Sequence, residues 1–231
     1  MSVFNDPTQR SFSRLTGAGY TAIAIFGAFA IGYVPSQIIT DDPTTTLAAI
    51  NDKRGLFNAG IGADGMVMMI EVMVSTMLYQ MFRRVNETLA FAAMLARFGM
   101  VTVMAAMLMF QAGLSGMASG TIPADSALTE LLLHMHHSGV WVWQIFFGLH
   151  LLLLGQLVCR TEALPKIFAY GLTIGAFGYF ADSLYAFAFP NADLLGWVRV
   201  GLLVIVTLSE VGFALWLLIR APRIGATTPT V

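Results

Sequence analysis

Residues 89–113 read LAFAAMLARFGMVTVMAAMLMFQAG, with Arg97 as the one charged side chain in the run. A helix needs ~20 mainly apolar residues to cross a hydrocarbon core of ~30 Å, so this stretch is long enough to span a bilayer. Five further stretches of the same kind are found at Leu15–Ile38, Ile61–Phe82, Leu131–Cys159, Ile167–Phe189 and Leu194–Ile219. Composition agrees. The 231 residues are 57% hydrophobic and 11% charged, against about 25% charged in a soluble domain, too few to clothe a water-facing surface. The expected fold is an all-α, six-transmembrane-helix bundle covering residues 12–220, with residues 1–11 and 221–231 as terminal segments.

The breaks between runs carry turn and cap chemistry. Thr40-Asp41-Asp42-Pro43 ends the first span, and Thr44–Asn51 is expected to form a short interfacial helix because Leu47 and Ile50 are three apart. Arg83-Arg84-Val85-Asn86-Glu87 reads as a tight turn and Thr121-Ile122-Pro123-Ala124-Asp125 as a loop; Pro165 opens the fifth span and Pro190-Asn191 closes it. Arg10 and Arg14 precede the first run as in a signal peptide. That run is too long for a cleaved leader and is expected to be retained. The tail after Arg223 is small and polar, and expected to be disordered.

Orientation follows from the basic residues. Arg10, Arg14, Arg83, Arg84, Arg160, Lys166, Arg220 and Arg223 fall on one side, and only Lys53 and Arg54 in a loop on the other. Both termini are therefore expected in the cytoplasm, in a bacterial inner membrane. Trp141, Trp143 and Trp197 near outer ends and Trp216 near an inner end suit interfacial belts. A formal net charge of −1 gives nucleic acid no electrostatic purchase, and the single Cys159 excludes an internal disulfide.

Ionisable residues within the spans fall into two layers. Counted from the cytoplasmic helix ends, Glu71, Arg97, His150 and Glu210 each lie about 15 or 16 Å up, near the midplane. Nearer the outside come Asp64, Asp182, Arg199 and the start of the fourth span, His134-Met135-His136-His137. On a helical wheel Asp64 and Glu71 are about 20° apart, Arg97 and Gln111 about 40°, His136 and His150 about 40°, and Arg199 and Glu210 about 20°. Each of four helices thus carries one polar stripe. A charge turned toward lipid costs at least ~3 kcal/mol, so the stripes are expected to face the interior. Arg97 is expected to pair with Glu71 or Glu210, which leaves one carboxylate in excess, either protonated or paired with His150.

The midplane set of Glu71, Arg97, His150 and Glu210 is the candidate ligand- or proton-binding site. Asp64, His136, His137 and Asp182 are candidate metal ligands, since imidazole with carboxylate suits zinc, iron or manganese. No His-Glu-x-x-His motif accompanies them. Bis-histidine haem would need histidines on facing helices, whereas all four lie on one. Twelve of the fourteen methionines lie in or beside spans two and three; Met69, Met73, Met77 and Met81 form a stripe opposite the acidic face, suited to lipid contact or helix packing. Gly55–Gly65 lacks phosphate-loop spacing and is expected to allow a close helix crossing.

Several short motifs together resemble one known family: Gly55-Leu56-Phe57 through Ala63-Asp64, Leu78-Tyr79, Arg84-Val85-Asn86, Ala96-Arg97-Phe98, Phe147-Gly148-Leu149-His150-Leu151, Gly178-Tyr179-Phe180-Ala181-Asp182-Ser183, and Glu210 through Leu217. Across about residues 12–220 the chain resembles bacterial membrane proteins of domain-of-unknown-function family 4386. The resemblance implies a six-helix bundle and supplies no substrate. Its pattern positions here are Asp64, Arg97, His150, Asp182 and Glu210; Glu71 stands where such proteins carry an acidic residue, often Asp. The run His-Met-His-His is denser than the family pattern implies.

Three functions follow as expectations. The first is binding or transport of a small molecule or protons through the midplane layer, although no broken-helix pair or inverted repeat marks a transporter. The second is an intramembrane hydrolase with an outer-layer metal that activates water. The third is a structural or regulatory subunit whose partner binds within the membrane along the methionine stripe. The cofactor is unknown. Membrane lipids surround the chain, and homo- or hetero-oligomers would form within the bilayer.

Overall fold

A computed structural model describes residues 6–224; Met1–Asn5 and the tail residues 225–231, where disorder was expected, lie outside the described residues. Among the described residues the chain is all helical. Six segments are long and apolar enough to cross a membrane. The first runs from Arg10 to Ile38 in three parts: α1 (Arg10–Gly27), a π-helical segment (Ala28–Tyr33) and α2 (Val34–Ile38). The others are α4 (Arg54–Phe82), α5 (Glu87–Ala118), α6 (Ser126–Cys159), α7 (Lys166–Ala188) and α8 (Asp193–Arg220), with the short α3 (Pro43–Asp52) between the first two spans. The chain is a multi-pass membrane protein.

α5 and α6 each run beyond their apolar stretches and begin at a polar cap. Asn86 accepts a hydrogen bond from the Leu89 amide at 2.9 Å to start α5, and Asp125 accepts from the Leu128 amide at 2.7 Å to start α6. These satisfy amide donors that the first helical turn cannot. Asp42 caps α3 through the hydroxyls and amides of Thr44 and Thr45. The Thr44 hydroxyl first, then that of Thr45, holds the Asp42 carboxyl below the usual carboxylate range. Leu47 and Ile50 of α3 are buried with Val34, Ile38, Phe57, Leu114 and Met117, so the three-residue spacing anchors α3 across one end of the bundle.

Each long helix packs on its sequence neighbour, and α1 packs on both α4 and α8. The six spans therefore close into a ring in the order α1, α4, α5, α6, α7, α8. The start of α1 and the end of α8 lie together at one end: the Ser13 hydroxyl donates to the Pro222 carbonyl at 2.5 Å, and Ala221 and Ile224 are buried there. Residues just beyond α8 are thus packed against the bundle. Most of the buried apolar side chains, including Phe12, Phe82, Leu154 and Leu217, fill the half nearest the termini.

Glycines set the tight seams. A Cβ at Gly175 would lie 2.5 Å from Val206 Cβ and 2.7 Å from its Cα, and one at Gly17 would lie 2.4 Å from the Leu218 nitrogen. Small residues of this kind let helix backbones approach within a membrane. The close crossing expected at Gly55–Gly65 is confined to Gly60, which faces Val34 at 3.0 Å; Gly55, Gly62 and Gly65 meet nothing within 4 Å. The seams that need glycine are instead α7–α8, α1–α8 and α6–α7, where a Cβ at Gly155 would lie 2.3 Å from the Thr173 hydroxyl and 3.0 Å from the Ala169 carbonyl.

The methionine stripe divides. Met69 and Met73 are exposed on the outside of the ring, whereas Met77 and Met81 are buried in the core. A stripe four residues apart drifts around its helix, and α1 covers only its later turns.

Candidate functional site

Arg97 is fully buried on α5. Its Nε pairs with the Glu71 carboxylate on α4. Its Nη1 donates to the Tyr20 hydroxyl on α1 at 2.6 Å and to His150 Nε2 on α6 at 3.0 Å. Guanidinium only donates, so His150 Nε2 is the acceptor and Nδ1 carries the proton that goes to the Ala93 carbonyl at 2.8 Å. One cation thus ties together four helices. The guanidinium carbon also lies 4.4 Å from the Tyr20 ring centroid and 5.4 Å from that of Phe147, close enough for cation–π attraction.

Beside this network lies a cavity of about 280 Å³, with Arg97 and Glu71 at its buried end. Ile23, Val67, Met100, Met104 and Ala214 make much of its wall, with Trp143, Phe147 and Tyr179 as an aromatic side. Glu210 enters from α8 and accepts a hydrogen bond from the Tyr179 hydroxyl at 3.1 Å. Two buried donors on cavity-lining side chains, Arg97 Nη2 and Trp143 Nε1, have no hydrogen-bond partner among the described residues. An unpaired buried donor costs ~1–3 kcal/mol, so the cavity favours a guest that offers hydrogen-bond acceptors.

The four midplane residues named from sequence meet here. Arg97 contacts Glu71 and His150, while Glu210 lines the same cavity. Of the two states expected for the surplus carboxylate, pairing with His150 does not occur: His150 accepts from Arg97 and donates to the Ala93 carbonyl, while Glu210 bonds Tyr179. Sequence reasoning missed Tyr20 and Tyr179. Tyr20 had a signal: ten residues above Arg10, it lies about 15 Å up, level with the charged set.

Residues 15–221 match the family described as a domain of unknown function, DUF4386. The chain belongs to that family. An uncharacterised protein of Archaeoglobus fulgidus is 33% identical over 86 residues, 37% of this chain and 48% of the archaeal one. The match therefore spans about half of that relative's length. No solved structure matches the chain.

In this DUF4386 chain the second polar layer is split. Gln111 bridges Asp64 and His136, its amide lying 3.5 Å from Asp64 Oδ2 and 2.9 Å from His136 Nε2. Asp182 pairs with Arg199, whose guanidinium carbon lies 4.1 Å from the Tyr185 ring centroid. His137 is exposed, and its ring meets Trp141 edge-on at 5.0 Å. Asp64, His136, His137 and Asp182 are thus not brought together. Among the described residues, no three histidine, cysteine, aspartate or glutamate side chains are grouped as a metal would require. Equal depth on different helices does not make residues neighbours in a ring.

Proposed function

We propose that this DUF4386 protein binds a small molecule in the mid-span cavity, with Arg97 and Trp143 as donors and Glu210, bonded to Tyr179, as a further polar group of the same cavity. The observation that carries the reading is the pair of buried, unpartnered donors on side chains that line a mainly apolar cavity. Glu71 neutralises Arg97, so the donors are offered without a full net charge at that end. Glu210 supplies a carboxyl group that can accept a hydrogen bond or hold a proton as the guest arrives. We further propose that the termini face the cytoplasm of a prokaryotic plasma membrane, because the basic residues Arg10, Arg14, Arg83, Arg84, Arg160 and Lys166 gather at the terminal end. The metal-hydrolase alternative lacks support, since its four candidate ligands are divided between separate contacts.

The test is extraction. Protein purified from its own membranes in mild detergent is denatured, and the released small molecules are identified by mass spectrometry. The same is done for Val67→Phe, which fills the cavity wall without touching the ion pair. The reading expects a species present in near-equal molar ratio to the protein and depleted from the filled variant. Identical profiles from two folded proteins would overturn it.

A further inference from the structure

The cavity has a side opening, and its position says where a guest comes from. On one rim are Ala24, Ala28 and Ile31 of the first span, and on the other Thr207 and Val211 of α8; all five line the cavity and are exposed. Ala24 lies near the middle of Arg10–Ile38, and Thr207 and Val211 near the middle of Asp193–Arg220. Side chains exposed at mid-span face acyl chains, not water.

The opening has a structural cause. Toward the termini α1 and α8 are clamped: Gly17 admits the backbone of Leu218, Tyr20 meets Phe213 edge-on at 6.0 Å, and Ser13 bonds Pro222. Farther along, the first span turns π-helical at Ala28–Tyr33 and packs on α4. A π segment widens the helix and shifts the register of the faces beyond it. The two helices are held below the charged layer and part above it, and small residues, Ala24, Gly27 and Ala28, line the gap on the α1 side.

Polarity runs in one direction along this passage. At its inner end lie the side chains of Arg97 and Trp143, each with one buried nitrogen that has no acceptor among the described residues; its outer rim is apolar except for the Thr207 hydroxyl, which is already bonded to the Leu203 carbonyl at 2.8 Å. We infer that the guest is a membrane-dissolved, single-chain amphiphile with a neutral, oxygen-accepting head, such as an ester or ketone carbonyl, that enters sideways between the π segment and α8. The head docks on Arg97 and Trp143, and the chain lies out through the gap. A neutral head is favoured because Arg97 is already balanced by Glu71, and a carboxylate head would sit in the same cavity as Glu210. This rests on the binding reading above and names its ligand class.

Trp143 supplies the assay. In a protein with Trp141, Trp197 and Trp216 replaced by phenylalanine, Trp143 fluorescence is followed in nanodiscs as methyl 9,10-dibromostearate is added. Quenching should saturate, be displaced by methyl stearate, and resist displacement by octadecane, which has the chain without the head. Thr207→Phe, which narrows the gap and leaves the donors in place, should weaken apparent affinity about tenfold or more, the equivalent of ~1.4 kcal/mol. Linear, unsaturable quenching, or equal displacement by octadecane, would overturn the amphiphile. Saturable quenching unchanged by Thr207→Phe would overturn the sideways route. Neither result touches the extraction experiment: an extracted water-soluble species would keep the cavity site and remove only this ligand class.

Discussion

At mid-span Arg97 gathers Glu71, Tyr20 and His150 from three other helices, whereas farther along the bundle Arg199 reaches only Asp182 on the adjoining helix. The difference follows from exposure. Arg97 is fully buried, so the ring itself supplies the partners of its Nε and Nη1, and Nη2 is left without one among the described residues. The Arg199 side chain is 29% exposed and meets one carboxylate and one aromatic face, with its Nε left unpartnered among the described residues. The first arrangement joins four of the six spans; the second staples α7 to α8 locally. Both use the same residue types, so the chemistry of the side chains alone does not tell a network from a staple.

The largest effect expected from this contrast comes from Arg97→Met. It leaves Glu71 buried without a partner, and breaking a buried pair from one side costs about 3–5 kcal/mol. The variant should unfold at much lower temperature in detergent, and Arg97→Met with Glu71→Met should recover most of the loss. A single variant as stable as the parent would end the idea of a network. Next in size is His150→Phe, which removes the acceptor for Arg97 Nη1 and the donor to Ala93. A cost of ~1–3 kcal/mol is expected in SDS-induced unfolding, and a neutral result would confine the network to α1, α4 and α5.

Asp182→Asn should cost about 1 kcal/mol or less, since partly exposed pairs contribute little. If its thermal shift matched that of Arg97→Met, the two layers would be energetically alike and the contrast lost. Smallest is Gln111→Leu, which cuts the bridge from Asp64 to His136 and should cost about 0.5–1.5 kcal/mol. The local consequence is easier to see: the His136 ring resonances in labelled protein should move while those of His150 stay in place. Movement of both would mean that the layers communicate.

How far the site could be read in advance depends on the kind of question. Counting at 1.5 Å per residue needs only helix ends, and basic residues mark those ends, so Glu71, Arg97, His150 and Glu210 could be assigned one depth. The wheel likewise told which way Arg97 and Gln111 point. Neither measure says which helix stands opposite. That is why Asp64 and Asp182, close in depth, take separate partners, and why Glu210 bonds Tyr179 while Glu71 takes the arginine. Met69 and Met81 belong to one stripe, yet one faces outward and the other is core, because burial is decided by where α1 crosses α4.

The sequence by itself determined the solvent, the number of spans and the level at which polar groups lie, because each follows from one helix and the thickness of the membrane around it. Only the tertiary structure decided who meets Arg97, where a cavity is left, and on which side it opens. Those depend on the order of helices around the ring, on glycine seams such as Gly175 against Val206, and on a π-helical turn at Ala28–Tyr33 that parts two helices that would otherwise pack along their length.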